Sequence, residues 1–488
     1  MLNHAVDKLG TSLAELFAQS DIVKCDVKIS CVNICTFNFK HPQRRWRLAL
    51  VAIVNFSATL LMFANTGKAD GVYRDGAGAR AMSLGGASVA LPDQPLEAMF
   101  SNPAGLGLAT NASLQLGVVG GLAQGEFSDS VNKNSHMRDT LGALPEVAFV
   151  YPMKSLPLSF GLSVIPEALS RVDWKFADKP GGLDGATTYG LRENYAQFIA
   201  IRTALGVSYK INDTLSVGID FGGDYNRNNL KAPYVFQSAP GLRGFKTLLD
   251  LQTEGWGVNG TAGLVWRPRK EVSVGLSYRS MTYFDTHGDA SGNAGVQLGN
   301  IGAGSFRPDF HYDAEVYTKL PQIVSGGVSW QAQDWLRVIL QTDWIGWGDA
   351  FNNLDIQLRN GNNADINGFL GTSHIHDSVP LDWKDGFVYR IGFEFALSQA
   401  FTARVGYCYG ANPVPAATLT PMSAAILEHT ATCGLEWRHG RWTIAGAYQY
   451  DFPAASRVGE SGLAAGEFSN SATTVKAHWF GLTTGVRF

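Results

Sequence analysis

Four arginines, Arg279, Arg337, Arg390 and Arg404, fall on the polar side of alternating apolar/polar runs. Their planar guanidinium forks suit the bidentate grip of a carboxylate. They belong to a larger polar-side set with Arg202, Asp220, Lys319, Asp343, Glu394 and Arg487. Such a set equally makes an internal network that ties strands together, and both roles stay open here. His374 and His376 form a His-x-His, but a metal centre needs more ligands in an ordered geometry, so a solvated loop pair is expected. The glycine-rich run GAGARAMSLGGASVA (76–90) invites a phosphate-loop reading. No Lys-Ser/Thr follows it, and dinucleotide spacing is absent. No Ser-His-acid group, metal-binding helix or paired-carboxylate cleft emerges, so the expectation is no enzyme, no cofactor and no metal.

The elements that carry these side chains read as strands. Leu215, Val217, Ile219 and Phe221 alternate with Ser216, Gly218 and Asp220. The same period recurs at 272–279 and 387–395. The final run, 478–488, places Phe480, Leu482, Val486 and Phe488 on one face. From residue 112 onward about fourteen such runs are joined by links that are alternately short and long, the rhythm of a membrane-spanning barrel. The expected fold is therefore all-β: a transmembrane antiparallel barrel, its strands including 157–165, 213–225, 255–267 and 310–331. Tyr209, Trp266, Trp330, Trp437 and Trp442 gather at the short links, as a headgroup-level girdle requires. Pro321 is expected to kink its strand. Residues 70–111 do not alternate and have the length of an N-terminal plug of short helices in the lumen. Between strands five and six, the stretch 231–251 is rich in Tyr234, Val235, Phe236, Phe245, Leu248 and Leu249. Apolar side chains on a loop are costly unless they meet a ligand or a neighbour, so this loop is a candidate capture surface.

Of the 488 residues only 17% are charged, and the net charge is −3, with no basic stripe for nucleic acid. LALVAIVNFSATLLMF (48–63) follows Arg44, Arg45 and Arg47 and precedes Gly67-Lys68-Ala69, which reads as a secretory signal. Residues 1–69 are then a removed extension, 70–111 the plug and 112–488 the barrel. Three of the five cysteines lie in that extension. Cys408 and Cys433 fall on opposite faces of consecutive strands and should remain free thiols.

The plug carries Asn102-Pro103-Ala104, and ordered blocks follow it: KLPQIVSGGVSW (319–330), DWIGWGDAF (343–351), DWKDGFVYRIGFEF (382–395), ARVGYCYGANPVP (403–415), EHTATCGLEW (428–437) and AYQYDF (447–452). In these residues the chain resembles the FadL/TodX outer-membrane transporters of long-chain fatty acids and other hydrophobic compounds. The resemblance implies a fourteen-stranded barrel closed by a hatch, with Asn102, Pro103 and Ala104 as the hatch motif. It further implies ligand capture, hatch movement and lateral exit at a kinked third strand, where Gly161 and Pro166 are the candidates. Long-chain fatty acids are the first expected ligand, with aromatic or alkane hydrocarbons as the alternative. From another class, a barrel-embedded acyl hydrolase would need a lipid-facing Ser-His pair, and a structural surface barrel would need no hatch function. The expected setting is a Gram-negative outer membrane, as a monomer, in contact with lipid and lipopolysaccharide. The C-terminal Phe488 would be offered to the barrel-assembly machinery.

Overall fold

A computed structural model of the chain describes residues 71–488 apart from 411 and 424. The extension and signal at 1–69 lie outside the described residues. The strands are β1 (Ser113–Ser128), β2 (Thr140–Pro152), β3 (Leu158–Ala177), β4 (Leu191–Lys210), β5 (Leu215–Val235) and β6 (Lys246–Arg269). β7 runs as Val272–Arg279 and Thr282–Asn293, and β8 as Asp309–Leu320 and Ile323–Gln333. The circuit continues through β9 (Leu336–Ile345), β10 (Gly386–Ala396), β11 (Phe401–Gly410), β12 (His429–His439), β13 (Trp442–Val458) and β14 (Ser471–Arg487). β14 pairs back onto β1 from Ser113↔Arg487 to Ser128↔Ala472, closing a fourteen-stranded antiparallel barrel. Closure removes both sheet edges, as lipid demands.

Burial is inverted relative to a water-soluble protein. Leu205, Ile219, Phe221, Leu276, Leu340, Leu435, Phe480 and Leu482 are all exposed on the outer wall. Tyr209, Trp266, Trp330, Trp437 and Trp442 are exposed beside the short turns, where the girdle was expected. Cys408 is buried, Cys433 is exposed, and neither is bridged.

Two strand expectations change. β5 and β6 do not end at 225 and 255; they stay paired to Val235↔Lys246, so only 236–245 connects them. Above the lipid both faces are polar (Asn226, Arg227, Asn228, Asn229), and the alternation that marks a spanning strand disappears. Pro321 interrupts β8 between Leu320 and Ile323, and β7 breaks beside it between Arg279 and Thr282. Proline's missing N–H removes the ladder bond there.

The lumen is filled by α1 (Gly78–Ser83), α2 (Pro95–Phe100) and a 3₁₀ turn, Pro103–Leu108. Ala77, Leu84, Ala87, Leu96, Ala98, Met99 and Leu106 of this segment are essentially inaccessible. Pro95 opens α2 at a position whose N–H has no helical partner.

Candidate functional site

The hatch is seated on glycines of the wall. A Cβ on Gly263 would lie 2.0 Å from the Asn102 Oδ1, one on Gly275 would lie 2.0 Å from the Val89 carbonyl oxygen, and one on Gly406 would lie 2.2 Å from the Leu84 carbonyl carbon. These residues read as polar-face alternation in sequence; their actual service is close backbone approach. Asn102 is fully buried. Its Oδ1 accepts from the Ala104 N–H at 3.1 Å, and its Nδ2 donates to the carbonyls of Val89 at 2.8 Å and Leu264 at 3.1 Å. One side chain thus caps the turn opened by Pro103, holds the preceding hatch segment and bolts both to β6. The Ala104 carbonyl accepts from Ser216 Oγ at 2.9 Å. Replacing Asn102 by Leu leaves those carbonyls without a donor, and hatch seating should weaken by roughly 2–4 kcal/mol; faster protease nicking of 71–111 in folded barrels checks this.

The four candidate arginines all face carboxylates of this same chain. Arg279 pairs with Glu167 and also reaches the Tyr73 hydroxyl and the Phe100 carbonyl. Arg390 holds Asp343 at 2.7 Å and the hatch residue Asp75 at 2.6 Å. Arg404 spans Glu394 at 2.8 Å and Glu436 at 3.0 Å, and Arg337 meets Glu394 at 3.1 Å. Arg80 of α1 joins Glu97 at 3.0 Å and Glu394 at 3.4 Å. The arrangement is a buried network between hatch and wall. Lys319 departs from the polar-side expectation, since it lies against the outward Tyr283 ring.

The third strand carries an opening. The β2–β3 ladder ends at Val147↔Val164. Beyond it the two strands share no ladder: β2 up to Thr140 is laddered to β1, and β3 up to Ala177 is laddered to β4. The segment before β2 meets β3 again at the Met137↔Trp174 bridge. Between those points the wall has an aperture where the β2–β3 ladder is missing and the β3 edge is bonded in part by the hatch instead. Gly161 does not break the strand: its ladder passes through in register, and a Cβ there would lie 2.3 Å from Met99 Sδ. The irregularity falls between Pro166 and Ala168, where Glu167 is the extra residue of a bulge. The start of the hatch is tied to that bulge. The Arg74 N–H donates to the Glu167 carbonyl at 3.0 Å, Arg74 Nη1 donates to the Pro166 carbonyl at 2.9 Å, and Tyr73 bridges Ala168.

Three cavities lie in the loops and the upper lumen, and one of them reaches this aperture. The expected capture stretch is divided between two of them. Phe236 and Phe245 line an outer groove of about 80 Å³ with Leu242, Leu298, Phe306 and Phe369. Tyr234 and Val235 line a larger cavity of about 260 Å³ with Phe198, Leu251, Phe351 and Trp383. Leu248 and Leu249 line neither; Leu249 packs in the apolar cluster between them. A third cavity of about 180 Å³ shares Val72 and Ser170 with the second and reaches Gly142, Leu169 and Arg171 at the aperture. His374 and His376 are exposed, and His376 Nε2 sits 3.9 Å from Asp355.

Sequence reading missed the knot above the large cavity. Lys246 is fully buried, with its Nζ 2.5 Å from Asp178, 3.3 Å from Glu467 and 2.8 Å from the Lys179 carbonyl. It joins β6, the segment after β3 and the loop before β14. Burial pushes the Glu467 carboxyl up to about 7, because the nearer Asp178 claims the ammonium and adds a like charge; Lys246 and Lys179 offset this only in part. Tyr234, which faces the same group from β5, remains a neutral phenol. The protonated form is therefore favoured in the closed loops. Closure should be tightest below the ordinary carboxyl range and weaken as pH rises through about 7, by roughly 3 kcal/mol at most. Thermolysin nicking of 459–470 should accelerate over that window in the native protein, and Glu467→Gln should flatten the profile.

Among solved structures the chain is similar to a Pseudomonas aeruginosa FadL homologue, with 17% identity and a TM-score of 0.68 over 86% of this chain and 100% of that one. It is likewise similar to the Ralstonia pickettii toluene transporter TbuX, with 20% identity and a TM-score of 0.65 over 85% and 99%. The P. putida toluene transporter TodX aligns at 18% identity and a TM-score of 0.66, again over 85% and 99%. At these identities the likeness establishes the fold. No curated protein matches the chain in sequence. The family described as outer membrane protein transport protein (OMPP1/FadL/TodX) matches residues 59–488. The chain therefore belongs to the OMPP1/FadL/TodX family of transport proteins of the Gram-negative outer membrane.

Proposed function

We propose that this protein moves hydrophobic compounds inward by capture at the outer groove, passage into the large cavity, displacement of the hatch start and sideways exit between β2 and β3. The carrying observation is the missing β2–β3 ladder beside a cavity whose wall is the first stretch of the hatch. In hydrocarbon, unpaired backbone is tolerated only where it lines a cavity or meets protein, so an aperture at that level is a functional feature. A greasy solute gains roughly 0.8 kcal/mol per CH₂ on leaving water, which a chain of apolar cavities supplies stepwise and a water-filled pore does not.

Val72 and Ser170 separate the large cavity from the one at the aperture. Arg74 and Tyr73, next along the hatch, hold the bulge of β3. A ligand pressing on Val72 thus pushes on the segment that fixes the exit strand. Long-chain fatty acids and aromatic or alkane hydrocarbons share this route; toluene is the ligand named for two of the similar structures.

Uptake of labelled oleate and labelled toluene, in a strain stripped of its own transporters and expressing this chain, tests the reading. Accumulation of at least one above the empty-vector rate is expected. No accumulation of either would leave a structural barrel.

A further inference from the structure

This inference rests on the transport reading and concerns which solutes the route admits. None of the described residues lining the outer groove carries a charge. Among those lining the large cavity, the charged side chain is Glu467; no lysine, arginine or histidine contributes. Two ammoniums act on Glu467 from behind the lining: Lys179 donates to the Ser469 carbonyl at 3.0 Å, and the nearer, Lys246, is spent. Its three N–H donors face three acceptors, Asp178, Glu467 and the Lys179 carbonyl, and it is fully buried. The arginines deeper in the barrel are likewise matched by Glu167, Asp343, Asp75, Glu394 and Glu436.

We propose that Glu467, set in an otherwise uncharged lining, makes the cavity accept uncharged hydrophobic compounds and refuse carboxylates. A carboxylate entering here sheds its water, finds no cation in the lining and, once Glu467 is ionised, faces a like charge. An aromatic or alkane ligand loses nothing comparable and packs on Phe198, Phe351, Trp383 and Phe468. This places Glu467 as a specificity-determining residue and sets fatty acids, the first expectation from the family, behind hydrocarbons and alcohols.

Titration calorimetry on the purified full chain, at a pH of about 8 where benzoate is fully ionised, compares toluene, benzyl alcohol and benzoate. Toluene and benzyl alcohol should bind, and benzoate should be weaker by at least about tenfold. Glu467→Gln should shrink that ratio, and Thr420→Lys, which places an ammonium on the same wall, should bring benzoate to within a few-fold of toluene. The second variant keeps the test decisive should the first misfold. Benzoate binding as tightly as toluene in the native protein, or a ratio untouched by both variants, overturns the charge filter and leaves transport standing. If none of the three ligands binds, the filter falls, and the transport reading is decided separately by the oleate and toluene uptake assay.

Discussion

A valine at Gly406 is expected to turn the closed barrel into one that conducts ions. Gly406 lies on β11 with its missing side chain directed at the hatch. An added Cβ would sit 2.2 Å from the Leu84 carbonyl carbon and 2.3 Å from the Gly85 nitrogen. Those are backbone atoms and cannot swing aside as a flexible side chain would. The turn they belong to has little freedom, since Gly85 and Gly86 hold φ values of +67° and +83° and the Gly85 N–H donates to Thr432 Oγ1 at 3.0 Å. The strand itself suits valine, whose branched Cβ fits a pleated wall. Strain of on the order of 3 kcal/mol or more therefore falls on the hatch rather than on the barrel. The prediction is a heat-modifiable, folded barrel with planar-bilayer conductance several times that of the native protein, and cells sensitised to large antibiotics. Gly446→Val, two strands along on β13 and with no heavy atom within 4 Å, should stay closed. A folded Gly406→Val protein as tight as the native one would show that the hatch is not seated by these contacts.

The parts of this molecule that were legible in its sequence are those where lipid imposes a rule. Phe221, Leu276 and Phe480 had to alternate with small or polar residues because one face meets hydrocarbon and the other the hatch. Where β5 and β6 rise above the membrane that rule lapses, so their upper halves looked like a loop. The hatch showed itself by the absence of alternation. The electrostatic partners were hidden by distance along the chain: Arg390 meets Asp75 across 315 positions, and Arg279 meets Glu167 across 112. An arginine on the polar face of a strand looks the same whether its carboxylate belongs to the protein or to a ligand. Lys246 and Glu467 gave no signal at all, because each sits in an unremarkable loop-side stretch and acquires meaning only when three loops converge. The bulge at Glu167 was half visible, through Pro166, whereas Gly161 misled because a glycine that admits a neighbour and a glycine that ends a strand are identical in sequence.

Uptake should collapse when Gly142 is replaced by tryptophan, with ligand binding preserved. Gly142 lies on the part of β2 that has lost its β3 neighbour, and an added Cβ would meet only Leu169 Cδ2, at 4.0 Å. The space beyond is the aperture, so an indole there fills an existing opening instead of displacing packed atoms, and the barrel should fold normally. Gly142 does not line the large cavity, whose wall holds Trp383, Phe351 and Phe198 and where binding is proposed, so affinity should stay within about twofold of native. Transport by this route needs the last step to be open, and a blocked release step limits the whole flux; uptake of the best substrate should fall by at least about tenfold. Ala143→Trp is the matched control: one residue along, the side chain points outward and is exposed to lipid, so it adds the same bulk to the strand without entering the opening. Loss of uptake in the first variant alone assigns the exit to the β2–β3 gap. Equal uptake in both would move the exit away from the β2–β3 gap, and the path to test next runs down past Asn102 and the seated hatch toward the periplasmic end.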